Sequence, residues 1–112
     1  MIMGATKTTD YTLQEMSIAK YAKAFSHPAR VAILNLLLKK QSCVCGDIVD
    51  ELPLSQSTVS QHLKELKEVG LIKGDIEGAT VCYCIDEKVW NSAKQQLNQL
   101  FEKLNANNTK CC

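Results

Sequence analysis

Apolar positions recur at helical spacing through most of the chain. Leu13, Met16, Ile18, Ala19, Ala22 and Phe25 predict a first helix. Ser26-His27-Pro28 breaks it, and Pro28 is placed to open a second helix at its first turn. Residues 29–38 are apolar nearly all round, which predicts the buried centre, and Lys39-Lys40-Gln41 ends them with charge suited to a helix C-terminus. Ser42 is placed to cap a third helix whose buried row is Val44, Ile48 and Leu52, and Pro53-Leu54 follows as a turn.

From Ser55 to Gly70 the pattern is sharper. Ser55 is a helix N-cap residue, and Gly70 suits the left-handed turn after a helix end. Between them Val59, Leu63 and Leu66 form one stripe, while Ser57, Ser60, Gln61 and Lys64 fall on the opposite face. That outer face starts small and uncharged and turns basic one turn later. An ordinary surface helix is dressed in Glu and Lys; a Ser/Gln face suits a helix that enters a groove and bonds to base edges. The plainer alternative is a solvated amphipathic helix with small polar residues.

Beyond Gly70, Leu71-Ile72-Lys73 and Thr80–Ile85 read as two strands joined through a Glu77-Gly78 turn. A last helix over Glu87–Leu104 carries Val89, Trp90, Ala93, Leu97, Leu100, Phe101 and Leu104, a wider stripe than a small domain needs at its end. It predicts a surface shared with a second subunit. The expected fold is mainly α with a small β-hairpin: a homodimeric winged helix-turn-helix over residues 13–104, with a loose arm at 1–12 and a mobile tail at 105–112. Gln56, Ser57, Ser60, Gln61 and Lys64 are the expected contacts to double-stranded operator DNA, with no cofactor needed for that binding.

Composition changes this picture only at the cysteines. The net charge of +1 requires any DNA surface to be a local patch. No apolar run is long enough to span a membrane, and the N-terminal residues lack a secretion signal, so a cytoplasmic protein is expected. The six cysteines come as Cys43/Cys45, Cys82/Cys84 and Cys111/Cys112. Neither a C-x-C nor a C-C pair closes readily on itself, so six reduced thiols are expected, open to soft metals or redox chemistry.

Three stretches make the chain resemble the ArsR/SmtB family of metal-responsive winged-helix repressors. AlaPheSerHisProAlaArg at 24–30 is similar to the junction of its first two helices, and LeuSerGlnSerThrValSerGlnHisLeuLys at 54–64 to its recognition helix. CysValCysGlyAsp at 43–47 resembles the cysteine box of its arsenic- and cadmium-responsive members. The resemblance implies a homodimer that represses a resistance operon and leaves DNA when an ion binds. Two departures matter: Ile48 stands where the arsenic-type box carries a further Cys, and residues 1–42 hold no cysteine. A third thiolate must come from elsewhere.

Soft thiolates select soft ions. With only His27 and His62 in the chain, the family's histidine–carboxylate site on the last helix is excluded, and both histidines read as packing or helix-junction residues. On a regular helix Cys43 and Cys45 diverge by about 200°, so one ion takes both only if that helix start is irregular, which Gly46 makes less costly. Cys82 and Cys84 share one strand face and read as packing residues. Cys111 and Cys112 have the reach to complete a three-thiolate site with Cys43 and Cys45, which suits As(III) or Sb(III) as inducer. Cadmium or lead sensing and a thiol-redox switch are the alternatives. A small thiol enzyme is disfavoured, since there is no C-x-x-C and no Gly-rich phosphate loop.

Overall fold

Helix α1 (Leu13–Ala24) begins where Thr12 accepts from the Glu15 N–H at 3.0 Å and Glu15 Oε1 accepts from the Thr12 N–H at 2.9 Å. The Thr-x-x-Glu signature of this capping box stands in the sequence but was not among the expected caps. A computed structural model describes residues 10–40, 43–45, 52–77 and 80–104. The expected roles of Ser42, Ile48, Gly78, most of the arm and the tail from residue 105 lie outside them.

Helix α2 (Pro28–Lys40) starts at Pro28, as expected. It buries Ala29, Ile33, Leu34 and Leu37, but it is not buried all round: Val31 and Leu38 face outward. Helix α3 (Gln56–Val69) lays Val59, Leu63 and Leu66 on the α2 row, where they meet Tyr21, Ala24, Leu71, Ile72 and Ala93 in one core. Strands β2 (Ile72–Glu77) and β3 (Thr80–Ile85) pair antiparallel, with Ile72 opposite Ile85. The first of them runs further than Leu71-Ile72-Lys73 predicted, and Leu71 is instead a fully buried residue just before it. Helix α4 (Glu87–Glu102) is capped by Asp86, which accepts from the Val89 N–H at 3.3 Å while its own N–H reaches the Leu71 carbonyl at 2.9 Å. The Phe25 and Trp90 rings meet edge to face at 6.1 Å and pin α1 to α4.

One expected element is corrected at its start, and residues 46–51 of it lie outside the described residues. Val44–Cys45 is not the start of a helix but a short strand, β1, which joins the sheet in the order β1-β3-β2. Val44 lies across from Tyr83 and Cys45 across from Cys82. Val44 still packs against the core, as a helix row at Val44, Ile48 and Leu52 also requires. One buried residue does not distinguish the two periods; pairing with β3 decides for the strand.

Helix α3 ends at Gly70, whose φ of 95° lies in the left-handed region. A Cβ there would meet Val89 at ordinary contact distances, 3.6 and 3.7 Å. The cost of Gly70→Ala is therefore backbone strain rather than a clash. It should destabilise the fold by about 1–2 kcal/mol, read as a lower urea midpoint with an unchanged slope.

Candidate nucleic-acid interface and the adjoining thiols

Ser55 sets the start of α3. Its Oγ accepts from the Thr58 N–H at 3.3 Å and lies 2.8 Å from Thr58 Oγ1. This occupies one of the amide donors freed at a helix start, and extended backbone at Ser55 turns the chain in from Leu54. Because Val59, Leu63 and Leu66 are held in the core, the helix is fixed in rotation. Gln56, Ser57, Ser60, Gln61 and Lys64 are all exposed, so the expected DNA contacts share one solvent face. Four of these five side chains carry no charge, and Lys64 adds a cation one turn on. Strands β2 and β3 follow directly, on the other side of Gly70, as a wing.

The underside of α3 is wired to the α1–α2 corner. His62 is buried, and its Nδ1 accepts from Arg30 Nε at 3.1 Å. Arg30 also donates to the Lys23 carbonyl at 2.9 Å and pairs with Glu65 at 3.2 Å. The His27 ring sits 4.5 Å from that of His62, and His27 Nδ1 accepts from the Ala29 N–H at the start of α2. Both histidines are thus packing and junction residues, as expected. Burial first, then the nearby His27 and Arg30, push the His62 pKa below its ordinary value, against an opposing pull from Glu65.

A neutral His62 is also what its hydrogen bond needs, since Nδ1 must stay an acceptor. The unfolded chain takes up this proton near pH 6.5 and the folded chain only at lower pH. Its contribution is therefore whole above that pH and is lost as the pH falls through the folded value. Urea midpoints should drop between about pH 7 and about pH 5, and the drop should be smaller in His62→Gln.

At the sheet edge the thiol expectations change. Cys43 and Cys84 form a disulfide, with Cα atoms 4.3 Å apart and a sequence separation of 41. Cys82, at 3% exposure a core residue as expected, is also disulfide-bonded. The expectation of six reduced thiols is corrected by these bonds, and so is the reading of Cys84 as a packing residue. The cause is register. Extending the β1–β3 pairing by one residue puts Cys43 opposite Cys84, just as Cys45 stands opposite Cys82. A separation of 4.3 Å is that of the closely spaced, non-hydrogen-bonded pair of an antiparallel ladder. Neither C-x-C closes on itself; each faces the other across the sheet. Cys111 and Cys112 lie outside the described residues, and among the described residues no cluster of three or more metal-ligating side chains is assembled. No described helix is long and apolar enough to cross a membrane.

Residues 27–73 match the bacterial regulatory protein, arsR family. An uncharacterized HTH-type transcriptional regulator of Methanocaldococcus jannaschii is 44% identical over 73 residues, covering 63% of this chain and 81% of that protein. A cadmium resistance transcriptional regulatory protein CadC homolog of Staphylococcus aureus is 37% identical over 89 residues, covering 79% of this chain and 67% of that protein. An ArsR-like transcriptional regulator from Rhodococcus sp. RHA1 superposes with a TM-score of 0.68 at 20% identity, over 82% of this chain and 86% of that one, a likeness of fold. These relatives are regulators rather than enzymes. A capped helix α3 with an uncharged outer start, a wing behind it and likeness of this breadth place the chain in the ArsR/SmtB family of winged-helix, DNA-binding transcriptional regulators.

Proposed function

We propose that the protein is a homodimeric, cytoplasmic repressor that leaves its operator when a thiophilic ion binds, and that arsenite or antimonite is the inducer of a resistance operon. The observation that carries the DNA half is the exposed face of α3. Ser57, Ser60 and Gln61 read base edges, Gln56 flanks them, and Lys64 meets phosphate. The apolar ends of α1 and α4 supply the dimer surface. The ion half is supported by Cys43 and Cys45, which precede the reading helix, and by the need of a trivalent ion for a third thiolate. In the sequence Cys111 and Cys112 are placed to provide it.

A second reading, a thiol-redox repressor, is favoured by one observation: the bond between Cys43 and Cys84. A cadmium or lead inducer is the third, and the name of the staphylococcal relative speaks for it. One titration separates them. Reduced protein is bound to a duplex selected by the protein itself, then treated in parallel with arsenite, antimonite, cadmium, lead and a disulfide oxidant. Arsenite and antimonite should weaken DNA binding by about 5–150-fold, and Cys43→Ser should abolish that response while keeping DNA affinity. Release by cadmium or lead alone, or by the oxidant alone, assigns the inducer to one of the other two readings.

A further inference from the structure

The sequence offers the third thiolate from Cys111 and Cys112, and the fold supplies another source. We propose that Cys84, on the wing strand β3, is a ligand of the inducer site together with Cys43 and Cys45, so that the sensor spans β1 and β3 and does not need the tail. This rests on the ion-responsive reading above and names its ligands.

Three observations carry it. Cys43 and Cys84 have their Cα atoms 4.3 Å apart, so their sulfurs, freed by reduction, stay within reach of one ion. Cys45 is the next cysteine of β1, at the rung where Cys82 stands opposite. Along a strand, residues two apart lie about 6.7 Å from each other. Access is open as well: Cys43 is exposed, and it borders with Cys84 a groove lined by Leu37, Lys73, Trp90 and Asn91. A small neutral species such as As(OH)3 reaches the pair there without unfolding.

The chemistry closes. A dithiol reductant opens the Cys43–Cys84 bond and the bond of Cys82, giving two electrons and two protons to each and leaving two thiols and one oxidised dithiol per bond. Three cysteine thiols then displace three hydroxyls from As(OH)3: three As–S bonds form, three As–O bonds break, and the thiol protons leave in three waters. Oxidation closes the same site, so the bond and the ion compete for Cys43 and Cys84. Because β3 is also the inner strand of the wing, and the chain from β1 leads into α3, capture at this rung acts on both DNA-facing elements.

The test is a direct map of ligands in reduced protein, with operator binding measured on the same sample. Arsenite is added, free thiols are alkylated, and peptides are mapped by mass spectrometry. Cys43, Cys45 and Cys84 should be protected in unaltered protein, and Cys111 and Cys112 alkylated. Arsenite affinity should fall at least tenfold in Cys84→Ser and stay unchanged in the Cys111→Ser/Cys112→Ser variant. Alkylation of Cys84 in the arsenite-loaded unaltered protein overturns the proposal, and needs no variant to fold. So does lost affinity in the tail variant with none lost in Cys84→Ser. If arsenite protects no thiol at all, the inducer reading falls with it, while operator binding in the same sample shows whether the DNA reading stands.

Discussion

Leu97→Glu combined with Leu100→Glu should give a folded monomer whose operator affinity is about two to four orders of magnitude below that of the unaltered protein. The expectation comes from what α4 leaves uncovered. Its Ala93 is buried and Val89 and Trp90 pack on the core, but the same stripe continues to Leu100 at 41%, Phe101 at 68% and Leu104 at 69% exposure. Helix α1 runs beside it, tied by Gln14 to Gln99 at 3.0 Å, and adds Leu13 at 85% exposure and Met16. A two-fold axis through such a patch covers it with a second copy of itself. Each subunit then presents one α3 to one half-site, and the second contact is made at high effective concentration. Four charges on the two-fold surface, two from each subunit, would remove that gain without touching α3. Sedimentation gives the mass, circular dichroism the retained helix, and anisotropy the affinity. Dimers persisting at micromolar concentration would place the interface elsewhere.

The elements legible in the sequence are those whose signals are local. The break at Pro28, the cap at Ser55, the left-handed stop at Gly70 and the apolar stripe of α3 each depend on neighbours within a turn or two. The hairpin was legible in its second strand, Thr80–Ile85, where alternation is regular. Its first strand was read short because Gly74 and Asp75 interrupt the alternation, while the pairing with β3 carries the strand to Glu77.

What escaped depends on partners far along the chain. Two residues at β1 have no period of their own, so Val44-Cys45 could be read as a helix start until β3 paired with it. The thiol geometry followed the same error. On a helix Cys43 and Cys45 diverge from each other; on the ladder each C-x-C faces the other. The one signal in the sequence was the equal spacing within Cys43/Cys45 and Cys82/Cys84, which is what an antiparallel register needs to match both pairs. The polar outer face of α3 was legible because its residues are defined by what they are not: neither apolar nor acidic, on a helix whose other side is committed to the core.

That face is the centre of the account, and selection from random duplex DNA tests it most directly. Reduced unaltered protein and a Ser57→Ala/Gln61→Ala variant are carried through the same rounds at the same salt concentration. Both side chains are exposed and outside the core row; Ser57 Oγ lies 3.3 Å from the capping Ser55 Oγ, which keeps its own bond from the Thr58 N–H, so the variant keeps its fold. Each lost base contact should cost about 1–3 kcal/mol of discrimination, while Lys64, the proposed phosphate contact, is unchanged in both proteins. Unaltered protein should enrich two related half-sites about one helical turn apart, and the variant should enrich the same spacing with relaxed preference at the positions those residues read. Identical motifs from the two proteins, or no motif from the unaltered one, would contradict the assignment of α3 as the reader.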